Sequence, residues 1–338
     1  MGGVAVHLQR FSEQFSSHDE FDISVLDFKQ RSVTKSKSVP CGYRHLLQEL
    51  NASDIVHVHL STNKKLPFGI LARLLGKRLV YTHHSSRRGN RFVMWAMKKL
   101  AHHVIVVNDH NFPTGRCKKY SVIPAFLAPT SHTDIPSDLE SQLQNFQHVV
   151  CSNCFHSSNH PHGLHLIKGK DAYGFDVLIQ AFVDASPHLA STALVLVDPT
   201  GNAKAYVQGL LASLRPSNDC RIIYVDRSID FFSLLNKSHV FVRATRTDGD
   251  SLSVREALSC GVHVIASDAA VRPDRVEVLP TDDVNRFTQA ILAAVSKPKP
   301  EPQNPPDYGA RILEVYRSVC QPDEQRTLSR NQPQATSK

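Results

Sequence analysis

The sequence predicts an α/β protein with two doubly wound domains. Hydrophobic runs of strand length alternate with amphipathic segments of helix length, and the runs are rich in valine and isoleucine and mostly continuous. Continuous runs of this kind are typical of parallel strands that are buried on both faces of a sheet. A length of 338 residues exceeds the roughly 100–200 residues of an ordinary domain, which indicates two domains.

Two sets of hydrophobic runs predict the strands. The first set is DISVLDF (22–28), DIVHVHL (54–60), RLVYTHH (78–84), HVIVVN (103–108) and SVIPAF (121–126). The second set is HVVCSN (148–153), ALVLVDP (193–199), RIIYVDR (221–227), HVFVRAT (239–245) and HVIASD (263–268). Amphipathic segments such as PFGILARLLG and GFDVLIQAFVDAS lie between the runs, and this alternation predicts right-handed strand–helix–strand crossovers.

Composition marks the domain boundaries. A Pro/Ser/Asp-rich break at residues 127–145 separates a first domain, residues 1–130, from a second domain, residues 146–296. Residues 297–320 are predicted to be a proline-rich extended linker followed by one closing helix, and residues 321–338 a disordered tail. Ligands of such sheets bind at the carboxyl ends of the strands, so the two domains are expected to face a shared cleft.

The charge balance indicates anionic partners. The chain has 39 lysine and arginine residues against 31 acidic residues, a formal net charge of +8. A positive surface suits nucleotide phosphates or acidic lipids. Nucleic acid is not an expected partner, because no element combines a concentrated basic stripe with interleaved aromatics.

No segment of the sequence predicts export or a membrane span. No apolar run approaches the ~20 residues that a spanning helix needs, and the N-terminus lacks a basic segment followed by an apolar stretch. The seven cysteines are scattered, with Cys151-x-x-Cys154 as the one close pair. Cys151 ends an apolar run and is interpreted as a small buried hydrophobe, so no metal site is predicted. These features predict a cytoplasmic protein.

The stretch TDGDSLSVREALSCGVHVIASD, residues 247–268, places acidic residues around a strand-to-helix turn. A helix N-terminus presents free backbone N–H groups and the positive end of a dipole, which together suit phosphate. The carboxylates of Asp248 and Glu256 would repel phosphate, but they can accept hydrogen bonds from sugar hydroxyls on either side of a diphosphate. The pattern is therefore typical of a site for a sugar nucleotide.

A second interpretation of the same residues stays open. Ser253-x-x-Glu256 matches a capping box, in which Glu256 would bond the backbone at the start of its own helix. Asp248 and Asp250 would then be ordinary turn formers. On this interpretation the acidic residues serve the fold and not a ligand.

The stretch DGDSLSVREALSCGVHVIASD also resembles the nucleotide-sugar motif of family 4-type retaining glycosyltransferases (glycosyl transferases group 1), which have the GT-B fold of two Rossmann-like domains. The family pattern is Glu-Gly-Phe-Gly-Leu, three residues, Glu-Ala, and then a glycine before a strand. The positions that match in register are Gly249, Leu252, Glu256, Ala257 and Gly261, and those that depart are Asp248, Asp250 and Ser251.

The resemblance implies that this loop binds the donor and counts Asp250 among the donor-binding residues. Asp248 would contact hydroxyls of the donor sugar, and Glu256 would hold the ribose hydroxyls. Ser251 and Leu252 would offer backbone N–H groups to the diphosphate.

The likeness covers most of the chain and is closest to bacterial exopolysaccharide and lipopolysaccharide transferases. GGVAVHLQRFSEQ resembles the first glycine loop and helix, which implies donor contacts at Gly2 and Gly3. RLVYTHHSS resembles an acceptor-domain strand that a histidine follows, which makes His84 a candidate catalytic residue. The strand that should precede the glycine loop is missing, so the sequence either begins inside a longer gene product or the domain tolerates the loss.

A second departure concerns positive charge. The family carries Gly-Arg after the first strand of the donor domain and Lys-Gly before the next helix, and both cations neutralise the diphosphate. Here the first strand ends in Ser152-Asn153, and Tyr173-Gly174 occupies the Lys-Gly place. We expect Asn153 to contact the donor and Lys170 to replace the lost cation, with a solvated loop lysine as the alternative.

The segment SSRRGNRFVMWAMKKLAHH combines basic and aromatic residues. We expect an amphipathic helix whose Phe92 and Trp95 cover the sheet while its charges are solvated. The alternative is peripheral contact with an anionic membrane, at the inner face of the plasma membrane, as a transferase with a lipid-linked acceptor would require.

The resemblance implies a hexosyltransferase that moves a sugar, with retention, from a nucleoside diphosphate sugar to a saccharide or lipid-linked saccharide in surface polysaccharide biosynthesis. The sequence predicts no cofactor, because the protein itself can supply positive charge to the leaving group. A protein that binds such a nucleotide sugar with little or no turnover is the alternative, since the changed cations would weaken catalysis.

Overall fold

The computed structural model describes residues 3–35, 37–60, 62–84, 90–108, 119–156, 163–217 and 219–321. The chain divides into two compact units. The C-terminal unit comprises Met1–Val6 and Ala128–Pro306, and the N-terminal unit comprises His7–Leu127 and Asp307–Lys338. Each unit contains a parallel sheet with helices, so the predicted α/β class is confirmed.

The parallel sheet of the N-terminal unit has four strands that are adjacent in chain order. They are β4 (Ile55–Val58), β5 (Arg78–His83), β6 (His103–Val106) and β7 (Tyr120–Val122). The helices in this part of the chain are α1 (Gly3–Gln14), α2 (Tyr43–Ala52), α3 (Lys65–Leu74) and α4 (Arg91–Leu100). Within the described ranges no strand precedes α1.

The run DISVLDF does not join this sheet. It forms β1 (Val25–Asp27), which pairs antiparallel with β2 (Ser32–Thr34), and β2 pairs with β3 (Ser38–Pro40). The prediction of a parallel strand here was wrong because a turn reverses the chain directly after Asp27. The Asp27 carboxylate accepts hydrogen bonds from the backbone N–H groups of Lys29 and Gln30 and so closes that turn.

The C-terminal unit contains a six-stranded parallel sheet. Its strands are β8 (His148–Asn153), β11 (Thr192–Val197), β12 (Cys220–Val225), β13 (Val240–Arg243), β14 (His263–Ser267) and β15 (Val276–Leu279). The order across the sheet is β12-β11-β8-β13-β14-β15. From β8 the chain adds β11 and β12 on one side. It then returns to the other side of β8 and adds β13, β14 and β15 in the opposite direction, so the winding reverses between β8 and β13.

The second set of hydrophobic runs supplies five of these six strands, and β15 was not predicted. A two-stranded hairpin, β9 (Leu166–Ile167) and β10 (Lys170–Asp171), was not predicted either. The helices of the unit are α5 (Ser137–Leu143), α6 (Phe175–Ala185), α7 (Lys204–Ser213), α8 (Phe231–Lys237), α9 (Leu252–Ser259) and α10 (Val284–Val295).

Helices cover both faces of the six-stranded sheet. One face packs against a core that includes Phe175, Phe182 and Phe287 of α6 and α10. The other face packs against Leu234 of α8 and Ala257 of α9. Burial on both faces is the physical reason that the strands read as continuous apolar runs.

The last described helix, α11 (Tyr308–Cys320), follows the proline-rich segment and belongs to the N-terminal unit. Its Tyr316 is buried, and the tyrosine hydroxyl lies 2.7 Å from Nδ1 of His57 on β4. Residues 322–338, which include most of the predicted tail, lie outside the described residues. None of the helices in the described ranges is long and apolar enough to cross a lipid bilayer.

Candidate functional site

The reversal of winding between β8 and β13 marks the place where a sheet of this type binds ligands, at the carboxyl ends of the strands. Asn153 is the last residue of β8, and Arg243 is the last residue of β13. Nη1 of Arg243 donates to the backbone oxygen of Asn153 at 3.0 Å and to its Oδ1 at 3.2 Å. The predicted residue Asn153 thus lies at the switch point, bonded to an arginine.

Asp248 follows β13 and lies between two arginines. Its Oδ2 is 3.2 Å from Nε of Arg243 and 2.9 Å from Nη1 of Arg272. The three side chains are nearly buried, with relative exposures of 10% for Asp248, 11% for Arg243 and 1% for Arg272. Burial alone would raise the pKa of Asp248, but the two guanidinium charges outweigh it and lower that pKa below its ordinary value. Asp248 is therefore held as a carboxylate.

The loop between Asp248 and α9 carries the other predicted donor-binding residues. Asp250 is paired with Arg255, whose Nε donates to its Oδ1 at 2.7 Å. Ser251 is the N-cap residue of α9, and its hydroxyl lies 3.1 Å from that of Ser253 without capping the helix. Leu252 is the first residue of the helix.

The capping box considered for Ser253 and Glu256 does not fit this helix start. The N-cap residue is Ser251, so Ser253 already lies within α9. Glu256 is the fifth residue of the helix and only 5% exposed. All three acidic residues of the motif, Asp248, Asp250 and Glu256, are therefore largely buried at one loop–helix junction, at the end of the sheet where ligands bind.

Lys170 lies on the hairpin strand β10. Its ammonium group is 3.3 Å from Oδ2 of Asp282, and its side chain is 58% exposed. Asp282 also pairs with Arg246 at 2.7 Å, and Arg246 forms a bidentate pair with Asp176 at 2.8 Å for both oxygens. Lys170 thus takes part in a network of two cations and two carboxylates.

Tyr173 and Gly174 form the approach to α6. The ring centroid of Tyr173 lies 5.1 Å from Cζ of Arg243, an arrangement typical of a cation–π contact. Gly174 has φ of +69°, and a Cβ atom at this position would lie 2.0 Å from the backbone oxygen of Ala244. Only glycine fits there, because both the left-handed conformation and the close approach exclude a side chain.

His84 directly follows β5 in the N-terminal unit and belongs to a cluster of buried imidazoles. Its Nε2 lies 2.9 Å from Nδ1 of His59. The ring of His7 lies 5.4 Å from that of His59 and 5.7 Å from that of His84, and its Nδ1 donates to the backbone oxygen of Ala125 at 2.7 Å. Burial lowers the pKa of His84 to about 3, so its imidazole is neutral at physiological pH.

The predicted glycine loop is only partly described. Gly2 lies outside the described residues. Gly3 begins α1 and is grouped with the C-terminal unit, and a Cβ atom placed on it would lie 3.7 Å from Cδ1 of Leu252. Two predicted donor-binding residues are therefore neighbours.

Cysteine and histidine do not assemble a metal site in the part of the chain that the structure describes. No group of three or more potential ligands comes together there. Cys151 and Cys154 are both buried, and burial raises the pKa of the Cys151 thiol to about 12. His160 and His162, which follow this cysteine pair closely in the sequence, lie outside the described residues.

The sequence interpretation missed Arg243 and Arg272. Arg243 interrupts the apolar run HVFVRAT, and a charge that ends a buried strand is a signal that could have been used. Arg272 lies in the loop after β14, and no local pattern distinguishes it from a solvated arginine. Its Nε donates to the backbone oxygen of Ser267 at 3.0 Å, a contact that only the fold creates.

Comparison with known proteins agrees with this geometry. Residues 168–297 match the family model described as glycosyl transferases group 1. The matched segment contains α6, Arg243 and the whole junction from Asp248 to Glu256. No curated protein sequence matches the chain significantly.

Solved structures of glycosyltransferases are similar to this chain in fold. HepE of Anabaena, solved with UDP and glucose, is 17% identical with a TM-score of 0.55, over 81% of this chain and 80% of that one. A glycosyltransferase of Rickettsia africae is 16% identical with a TM-score of 0.54, over 81% and 73%. A UDP-forming trehalose-phosphate synthase of Burkholderia xenovorans, solved with glucose-6-phosphate, is 12% identical with a TM-score of 0.52, also over 81% and 73%. The chain thus has the GT-B fold, and its residues 168–297 match the glycosyl transferases group 1.

Proposed function

We propose that the protein is a glycosyltransferase that moves a sugar from a nucleoside diphosphate sugar to a saccharide hydroxyl. The observation that carries the proposal is the junction at the end of β13, where buried Asp248 and Glu256 flank the start of α9. The match of residues 168–297 to glycosyl transferases group 1 supports it. UDP and glucose are bound in a structure of similar fold, HepE of Anabaena, which supports a nucleotide-sugar donor.

The residues of the junction have complementary roles in this proposal. The backbone N–H groups at the start of α9 and the positive end of its dipole face the diphosphate, which gains charge as the glycosidic bond breaks. Asp248 accepts hydrogen bonds from the donor sugar, and Glu256 accepts them from the ribose. The positive charge for the leaving group comes from the protein, so we propose that the reaction needs no metal cofactor.

Further details of the proposal follow from the sequence resemblance. The transfer proceeds with retention, the donor sugar is a hexose, and His84 contacts the donor sugar or the acceptor. The acceptor is a saccharide or a lipid-linked saccharide of surface polysaccharide biosynthesis.

Release of nucleoside diphosphate from UDP-, GDP- and ADP-sugars tests the proposal. We expect the wild-type protein to release product from one of these donors, slowly without acceptor and faster with a saccharide acceptor. Glu256→Gln should lower kcat/KM by about 10- to 100-fold, because a buried, charge-assisted hydrogen bond to the ribose is lost. Glu277→Gln, which changes an exposed carboxylate on β15 of the same unit, is the matched control.

The alternative outcomes are distinct. Tight binding of a nucleotide sugar without product release would favour the binding protein with little or no turnover. Equal kcat/KM for Glu256→Gln and wild type would remove Glu256 from the site.

We further propose that α4 touches an anionic membrane surface at the inner face of the plasma membrane. The expectation that Phe92 and Trp95 cover the sheet was wrong, because the buried side of α4 consists of Val93, Met94, Ala96 and Met97. Phe92 and Trp95 are 65% and 56% exposed, and their rings are stacked with centroids 6.0 Å apart. Arg87 and Arg88 lie outside the described residues.

The basic end of α4 supports an anionic surface as the partner. Lys98 and Lys99 lie in the last turn of this helix, and α3, packed beside it, exposes Ile70 and Leu74. Aromatic rings and aliphatic side chains insert at the level of the lipid headgroups, and lysines attract acidic lipids.

Sedimentation with lipid vesicles measures this contact. The wild-type protein should bind vesicles that contain acidic phospholipid and should be released by salt. Phe92→Ala/Trp95→Ala should abolish most of the binding. Tyr43→Ala/Leu47→Ala, which removes two exposed apolar side chains from α2, should leave it unchanged. Equal binding of the two double variants would contradict the proposal.

A further inference from the structure

We propose that Arg243 and Arg272 form a pair of guanidinium groups that binds the diphosphate of the donor. This inference rests on the proposed function and deepens it. In this inference Arg243, the last residue of β13, and Arg272, in the loop after β14, take the role that the sequence suggested for Lys170.

The balance of charge near the switch point differs between two networks of charged side chains. Arg246 and Lys170 face Asp176 and Asp282, so that two positive charges meet two negative charges. Among the described residues, Arg243 and Arg272 form ion pairs with one shared carboxylate, that of Asp248. One positive charge is therefore in excess in this second network, among side chains that are nearly buried.

An excess buried charge is costly unless an anion compensates it. Among the described residues, the other groups that contact the two arginines are uncharged, and Asp268, whose carboxylate acts on Arg272 without an ion-pair contact, is exposed. Arg243 donates to Asn153 and lies over the ring of Tyr173, and Arg272 donates to the backbone oxygen of Ser267 and lies 3.3 Å from the hydroxyl of Thr245. An anionic ligand would supply the missing negative charge.

The position of the pair selects the kind of anion. Arg243 ends β13 and bonds the last residue of β8, so its guanidinium group lies at the point where winding reverses and where nucleotides bind in such sheets. A planar guanidinium matches the oxygens of a phosphate group, and two of them match a diphosphate. Asp248 fixes both arginines from the same loop that leads into α9.

Lys170 is placed less well for this role. Its side chain is mostly exposed, and its charge is already opposite Asp282. Tyr173, at the position where the sequence resemblance calls for lysine, lies against Arg243. The cation that is absent from the approach to α6 is thus supplied by the neighbouring strand.

Titration calorimetry with UDP, GDP, ADP and inorganic pyrophosphate tests the inference. For the nucleoside diphosphate that binds wild type, Arg243→Met should weaken binding by about 10- to 100-fold, because a charge-assisted contact to phosphate is lost. The same substitution should leave binding of the corresponding nucleoside nearly unchanged. The control Arg246→Met removes a buried arginine from the balanced network and should keep diphosphate affinity within about twofold of wild type.

Two further variants cover the case in which Arg243→Met does not fold. Arg243→Lys and Arg272→Lys keep the positive charge opposite Asp248 but lose the planar fork. We expect each to weaken diphosphate binding several-fold and to spare the nucleoside. Melting temperatures without ligand report whether each variant is folded.

The outcomes separate the inference from the proposed function. Wild-type affinity for nucleoside diphosphate in the folded Arg243 and Arg272 variants would overturn the inference and leave the transferase proposal intact. Binding of pyrophosphate that depends on Arg243, without binding of any nucleoside diphosphate, would support the anion site and contradict the nucleotide-sugar function. Absence of binding for all four probes would overturn both.

Discussion

Replacing Asp248 with asparagine is expected to lower the free energy of unfolding of the C-terminal unit by about 3–5 kcal/mol, the usual effect of removing one partner from a buried ion pair. The substitution nearly preserves shape but removes the carboxylate between Arg243 and Arg272. The two buried guanidinium groups would then repel each other, with no carboxylate between them. Denaturant unfolding followed by circular dichroism measures the loss.

Asp176→Asn is the matched control for this prediction. It also removes a carboxylate from a buried arginine, but Arg246 retains Asp282 at 2.7 Å. We therefore expect a clearly smaller loss, about 1–2 kcal/mol. Equal losses for the two variants would show that Asp248 is not the anion on which both arginines depend.

Lowering the pH from 7.5 to 5 is expected to destabilise the N-terminal unit strongly, because its histidine cluster is buried in the neutral form. Burial lowers the pKa of His7 from 6.5 to about 4 and that of His84 from 6.5 to about 3. It also lowers the pKa values of His57 and His59, with a contribution from the neighbouring histidines.

The direction of the effect follows from where protons bind. Above pH 6.5 these histidines are neutral in the folded and the unfolded chain, and pH has no effect through them. Below 6.5 the unfolded chain takes up protons that the folded cluster excludes, so stability falls until the pH reaches the folded pKa values. At pH 5 the loss is about 2 kcal/mol for each of His7 and His84.

Thermal unfolding at several pH values between 5 and 7.5 checks this expectation. The variant His7→Asn keeps an N–H donor toward the backbone oxygen of Ala125 but cannot titrate in this range. It should therefore show a shallower fall in melting temperature below pH 6.5. A melting temperature of the wild-type N-terminal unit that is independent of pH between 5 and 7.5 would contradict the prediction.

Much of the fold could be predicted from local pattern. The runs from HVVCSN to HVIASD predicted five strands of the C-terminal sheet, since a strand covered by helices on both faces must be apolar throughout. The run DISVLDF was interpreted in the same way, but the strand that it forms, β1, is only partly buried. The turn at Asp27 makes the adjacent hairpin strand its partner.

The candidate site was predictable to a smaller extent. Asp248, Ser251, Leu252 and Glu256 are close in sequence, so a motif of one turn and one helix brings them together. Arg243 is only five residues from Asp248, but whether Lys170 or Arg272 lies near them depends on the order of strands across the sheet. The exposure of Phe92 and Trp95 was likewise decided by the rotation of α4 on its sheet, which its two-sided apolar pattern left open.

The amino-acid sequence by itself determined the α/β class, five of the six strands of the C-terminal sheet, and the acidic loop–helix junction, because each depends on residues close along the chain. Tertiary structure alone decided that Arg243 bonds Asn153 across the switch point, that Arg272 joins it at Asp248, and that four histidines share one buried cluster. Apart from the pair His57–His59, these contacts join residues between 24 and 90 positions apart. These contacts form only when the strands are ordered and the helices packed so that the whole unit buries its apolar surface. A local sequence pattern does not contain that information.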